Sequence, residues 1–234
     1  MLLQNFPISS TALLLLVLAG VYGYGAIRLH KRAKANPQND LFHYFGYFFT
    51  SFTIFSIIFV LPFLLTPHDT TLTVWGYVIA QAVFTIGVSW LAGFVMRSFN
   101  KPALLGQIPI LALGVLEIMF HIKSMPVYDV AALATYNISK VSPSKAAGTI
   151  VGIEAVLTIL PTVYVMIRTA AKVPAARTRS VLIASGLLLT FIGGPMHDQV
   201  GPRLFAVADI ITILGAVITL IGLLIEPANR MQKR

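Results

Sequence analysis

The chain has 234 residues, 57% of them apolar and only 11% charged, with a formal net charge of +9. A soluble domain usually carries about twice that share of charge, so no separate kinase, nuclease or cyclase module fits beside the apolar segments. The absence of cysteine excludes disulfides, thiolate metal sites, iron–sulfur clusters and cysteine nucleophiles.

Seven apolar runs follow one another at roughly 9–28, 42–65, 72–96, 103–122, 148–168, 180–196 and 204–225. Runs of about 18 or more apolar residues read as membrane-spanning helices. The expected fold is therefore all-α, a single polytopic seven-transmembrane-helix bundle over residues 1–234. Leu13–Leu18 and Leu220–Ile225 are continuously apolar and lack the alternation of a transmembrane strand.

The first run follows Met1–Ser10, which carries no positive charge, and ends in Arg28, Lys31, Arg32 and Lys34. A cleavable signal peptide has the reverse polarity, so this run reads as a retained helix. The connectors then alternate. Thirteen of the 17 basic residues fall on one side, and only Lys123, Lys140, Lys145 and Arg203 on the other. The positive-inside rule places the N-terminus outside and the C-terminus in the cytoplasm, in a bacterial or archaeal cytoplasmic membrane. The basic residues sit at helix ends rather than on one folded face, which points to the lipid bilayer as partner and not to nucleic acid.

Phe42, Tyr44, Phe45, Tyr47, Phe48 and Phe49 crowd the inner start of the second run. They read as an interfacial aromatic belt, with a cofactor-stacking site as the alternative. Pro109 and Pro161 fall inside the fourth and fifth runs, where kinks are expected. The longest connector, 123–147, is expected outside, with a short interfacial helix near Tyr128–Tyr136. Asn137-Ile138-Ser139 matches a glycosylation acceptor, a tripeptide that often arises by chance. Gly148-x-x-x-Gly152 in the fifth run, and Gly215 with Gly222 in the seventh, allow close helix packing.

Ionisable groups are costly inside a bilayer and so become site candidates. Glu117, Glu154 and Asp209 lie well inside three different runs. Counting from the outer ends at 1.5 Å per residue puts each roughly 8–9 Å below the outer surface. Glu117 and His121 are four residues apart and share a helical face. His197 and Asp198 end the sixth run, and His68 and Asp69 the second. The expected ligand or metal pocket is thus Glu117, His121, Glu154 and Asp209, with His197 and Asp198 as secondary members.

Glu117, His121 and His197 form a candidate metal set. Carboxylates with imidazoles suit a divalent ion such as zinc, iron or manganese. Nearby Met119, Met125 and Met196 turn the preference towards copper, and His121 with His197 offers two axial haem ligands. Each residue alone also has an ordinary structural role: Glu117 can pair with Lys123, Asp209 with Arg203, and the histidines can be helix-end residues.

No H-E-x-x-H helix, Gly-x-Ser-x-Gly elbow or Walker A loop is present. No span supplies the intramembrane lysine that a retinal Schiff base needs. The functional expectation is an outer-side polar pocket for a metal ion or small ligand, sensory or accessory in role. The alternatives are a proton-coupled transporter, a membrane-embedded metal, haem or hydrolytic enzyme, and a structural subunit of a membrane complex.

Overall fold

The computed structural model describes the backbone of residues 8–199 and 202–225 and the side chains of 8–194 and 204–225. Its long helices are α1 (Ser10–Ala35), α2 (Asp40–Leu65), α3 (Thr70–Ser98), α4 (Leu104–Lys123), α6 (Lys145–Lys172), α7 (Arg177–Gln199) and α8 (Pro202–Leu224). Among the described residues, seven helical stretches are long and apolar enough to cross a membrane. The protein is thus built as an integral membrane protein. At 1.5 Å per residue, a 26-residue helix such as α1 is about 39 Å long, more than a bilayer's hydrocarbon core.

Most helices outrun the apolar segments that predict them, because polar caps and not hydropathy set their ends. Ser9, Asn39, Asp69 and Ser144 accept hydrogen bonds from the backbone N–H groups of Ala12, Leu41, Leu72 and Ala147, which satisfies donors left over in the first turns. Asp69 is therefore a cap rather than a pocket residue. At the far end of α1, Arg32 donates to the carbonyls of Leu223 and Leu224 at 3.0 and 2.6 Å. It closes the C-terminus of α8, where a cation is favourable.

The connector after α4 departs from a purely helical fold. Val127–Tyr128 (β1) pairs antiparallel with Val141–Ser142 (β2) on either side of α5 (Val130–Tyr136). Tyr128 donates its hydroxyl to the Pro67 carbonyl at 3.0 Å, and burial pushes its phenol above the ordinary range, so it stays a donor. The Asn137 side chain donates to the Ile8 carbonyl, while Ser139 donates to Ser9. The Asn-Ile-Ser tripeptide thus clasps the start of α1 onto this cap.

Six helices close into a ring in the order α1, α2, α3, α6, α7, α8 and back to α1. Helix α4 stands outside the ring and packs against the seam between α3 and α6. Phe42, Phe45, Phe48 and Phe49 are buried in the core. This corrects the belt expectation: four of those six rings are buried, with Phe48 and Phe49 edge-on to Tyr22, Phe45 edge-on to Phe94, and Phe42 beneath the Arg32 and Arg179 guanidinium groups. Tyr47 remains at the rim and stacks on Trp90 at 4.6 Å.

The glycines divide differently from expectation. A Cβ on Gly222 would stand 2.9 Å from the Ile183 nitrogen and 3.0 Å from the Arg179 carbonyl oxygen, and one on Gly215 2.7 Å from the Gly186 oxygen. Close packing of α7 on α8 therefore depends on these small residues. The Gly148-x-x-x-Gly152 pair does no such work: a Cβ on Gly152 would meet nothing within 4 Å, and one on Gly148 only Pro143. Gly186→Val, whose Cβ would lie 2.5 Å from the Thr219 nitrogen, should force α7 and α8 apart and cost about 2 kcal/mol or more. Unfolding of the purified variant in mixed micelles measures the loss.

Candidate functional site

The ring encloses a cavity of about 240 Å³ to which all six of its helices contribute. The wall is mainly aromatic and aliphatic, with Phe48, Phe52, Phe55 and Phe59 projecting from α2. Its polar members include Asp209 on α8, Gln81 on α3, and Thr190 and Thr212 on α7 and α8. Asp209 and Gln81 are more than nine-tenths buried, and the Gln81 Oε1 atom has no hydrogen-bond partner among the described residues. A buried acceptor without a partner is costly, and a ligand donor would relieve that cost. Gly152 and Gly194 also line the cavity, and neither position has an atom within 4 Å of a built Cβ. They widen the space rather than tighten a helix contact.

A second polar centre lies beside the cavity, at the seam of α3, α4 and α6. Glu117 and His121 share one face of α4, and His121 Nε2 lies 3.0 Å from Glu117 Oε1. Both side chains are fully buried. Across the seam, Thr85 of α3 donates to Glu154 Oε2 of α6 at 3.0 Å, with a longer 3.5 Å contact to Glu117 Oε2. One threonine hydroxyl thus ties together the two carboxyls. Glu154 Oε1 and His121 Nδ1 are buried without a hydrogen-bond partner among the described residues.

Tyr77 connects the two centres. Its ring lines the cavity and packs edge-on against His121, with centroids 5.5 Å apart.

The structure therefore brings Glu117, His121 and Glu154 into one cluster and places Asp209 in the cavity wall, on a helix that packs mainly against α7 and α1. The side chains of His197 and Asp198 lie outside the described residues. Among the described residues, no three His, Asp or Glu side chains converge as metal ligands. Glu117 binds His121 directly instead. His68 is exposed. His30 bonds Thr50, and His43 the Pro37 carbonyl.

Sequence reasoning missed Thr85, Gln81 and Tyr77, although a signal existed. Thr73, Tyr77, Gln81, Thr85 and Ser89 recur every four residues along α3, which aligns them on one helical stripe. All five are buried. A polar stripe in an otherwise apolar span marks the face that turns from lipid towards protein.

The fold and site together define an integral membrane bundle with an aromatic cavity inside the helical ring and a separate dicarboxyl centre at the α3–α4–α6 seam. Comparison with protein-family models, curated proteins and solved structures yields no match.

Proposed function

We propose that the protein binds a small lipophilic ligand bearing a cationic or hydrogen-bond-donating group, held inside the helical ring, in a sensory or accessory role. One observation carries the reading. An aromatic cavity contains a carboxyl, Asp209, and a partnerless buried amide oxygen on Gln81. Ligand pockets characteristically combine apolar walls with a few convergent polar groups. The aromatic faces suit a flat apolar body, and a cation gains further from the ring quadrupoles.

The test compares an aromatic amine with its uncharged hydrocarbon isostere, using calorimetric titration of the protein in nanodiscs. The amine should bind more tightly, and Asp209→Asn should remove at least about tenfold of that preference, the size of one charge-assisted hydrogen bond. Equal binding of amine and isostere to the native protein would sink this reading.

A second reading, proton-coupled transport, is favoured by the seam cluster. Two buried carboxyls joined through one hydroxyl make a group able to take up and release a proton. Solute-driven proton movement across reconstituted vesicles separates transport from binding alone.

The orientation supported best has the N-terminus outside and the C-terminus inside a bacterial or archaeal cytoplasmic membrane. Arg28, Lys31, Arg32 and Lys34 end α1, and Arg97, Lys101, Arg168 and Lys172 gather at the same end of the bundle. Such a basic end faces the cytoplasm by the positive-inside rule. The chain has no native cysteine, so single cysteines report cleanly. Ala134→Cys should react with an impermeant maleimide in intact cells, and Lys101→Cys only after lysis. The reverse pattern inverts the orientation.

A further inference from the structure

We propose that the basic end of the bundle carries a binding site for a phosphate-bearing anion, separate from the ring cavity. A cleft of about 410 Å³ opens there between the C-terminal ends of α3 and α6, the start of α2 and the first turn of α7. Arg168, Lys172 and Arg179 line it together with Asn39, Ser98 and Ser180. Among the described residues, no acidic side chain lines it. The adjacent Asp40 is already engaged by Arg97 at 3.3 Å.

Arg179 gives this cleft its meaning. It is more than nine-tenths buried, and its Nε and Nη2 atoms have no hydrogen-bond partner among the described residues. Its guanidinium stacks on the Phe42 ring at 4.9 Å, and Arg32 lies 5.7 Å from the same ring centre. Arg32 spends donors on the C-terminal end of α8, whereas Arg179 Nε and Nη2 find no such acceptor among the described residues. A buried guanidinium without an anion costs stability, and retaining one needs compensation. Arg168 is exposed and stacks on Phe99 at 5.4 Å, which holds a second planar donor group at the cleft. Lys172 adds an exposed point charge, and the N-terminus of α7 adds the positive end of a helix dipole.

The shared chemistry is a phosphate mono- or diester. Planar guanidinium donors match phosphate oxygens in pairs; Asn39 and Ser180 add neutral donors, whereas the Ser98 hydroxyl already donates to the Phe94 carbonyl. The phosphate source is either the headgroup of an acidic phospholipid or a soluble phosphorylated molecule. Basic pockets between transmembrane helices are known to take such headgroups.

Thermal unfolding of the full-length protein in neutral detergent tests the site. One arm adds phosphatidylglycerol with phosphatidylcholine as control. The other adds inorganic phosphate or pyrophosphate with chloride at matched ionic strength. Stabilisation by phosphatidylglycerol alone identifies a lipid headgroup, and stabilisation by the soluble anions identifies a soluble phosphate. Arg179→Gln should weaken the responding probe about tenfold or more. Without probe it should be no less stable than the native protein, because it removes the unpaired charge. Arg168→Gln with Lys172→Gln changes only exposed side chains, so folding is not at risk, and it should weaken the same probe. Stabilisation by neither probe, or a full response in both variants, overturns the proposal.

Discussion

Gly152→Phe should close the ring cavity to ligand and leave the fold intact. The glycine lies in the cavity wall on α6, and a Cβ there meets nothing within 4 Å. The new ring would therefore enter the cavity of about 240 Å³ rather than push against a neighbouring helix. Ligand binding needs that volume, so affinity for the aromatic amine should fall by about a hundredfold, equivalent to roughly 2.8 kcal/mol. Helix α6 should not suffer, because phenylalanine has a better helix propensity than glycine by a few tenths of a kcal/mol. Added contacts with the cavity's apolar wall bury further apolar surface. The unfolding midpoint should stay level or rise while binding disappears. Gly194→Leu enters the same cavity from α7, again with no atom within 4 Å of its Cβ, and should act alike. Native affinity in both variants would place the ligand elsewhere.

The second large effect concerns the seam. Glu117→Ala should cost about 2–4 kcal/mol, and Glu154→Gln no more than about 1 kcal/mol. The asymmetry follows from hydrogen bonding. Glu117 anchors His121 at 3.0 Å and also meets Thr85. Its removal strips the His121 Nε2 partner when Nδ1 already has none, and it opens space between α4 and α3. Glu154 keeps one oxygen on Thr85 while the other has no hydrogen-bond partner. A glutamine there still accepts from Thr85 and cannot place a charge in a low-dielectric seam. Equilibrium unfolding of both variants in mixed micelles gives the two values. A large loss in Glu154→Gln would show that its charge is required, which strengthens the proton-coupled reading.

Both effects depend on which face of each helix turns inward, and that is where the one-dimensional reading weakens. Glu117, His121 and Glu154 were legible as candidates because burial of an ionisable group in a membrane is costly wherever it occurs. Their meeting was legible only for Glu117 and His121, four residues apart on one helix. Glu154 joins them through Thr85, which lies 69 residues away from it in the chain. Asp209 shares their expected depth but belongs to a helix on another side of the ring. Depth follows from counting along a helix. Azimuth follows from packing, which depends on every neighbour at once.

The glycines carry the same lesson. Gly152 and Gly222 look alike in sequence, yet one opens a cavity and the other admits the backbone of α7. Likewise, the phenylalanines of α2 match the composition of an interfacial belt, but their inward face builds the core and the cavity wall.

Hydropathy along the chain determined by itself that there are seven long apolar helices, because a bilayer rejects unpaired backbone groups and only a helix satisfies them within one segment. Charge spacing determined which connectors share an end. Helix order around the ring, the exclusion of α4 from it, the cavity at its centre and the coupling of Glu154 to Glu117 were decided by tertiary structure alone. Lipid is as apolar as a helix surface, so the hydrophobic effect does not choose helix neighbours inside a membrane. Shape, small residues and a few buried hydrogen bonds do, and those terms exist only once the helices have met.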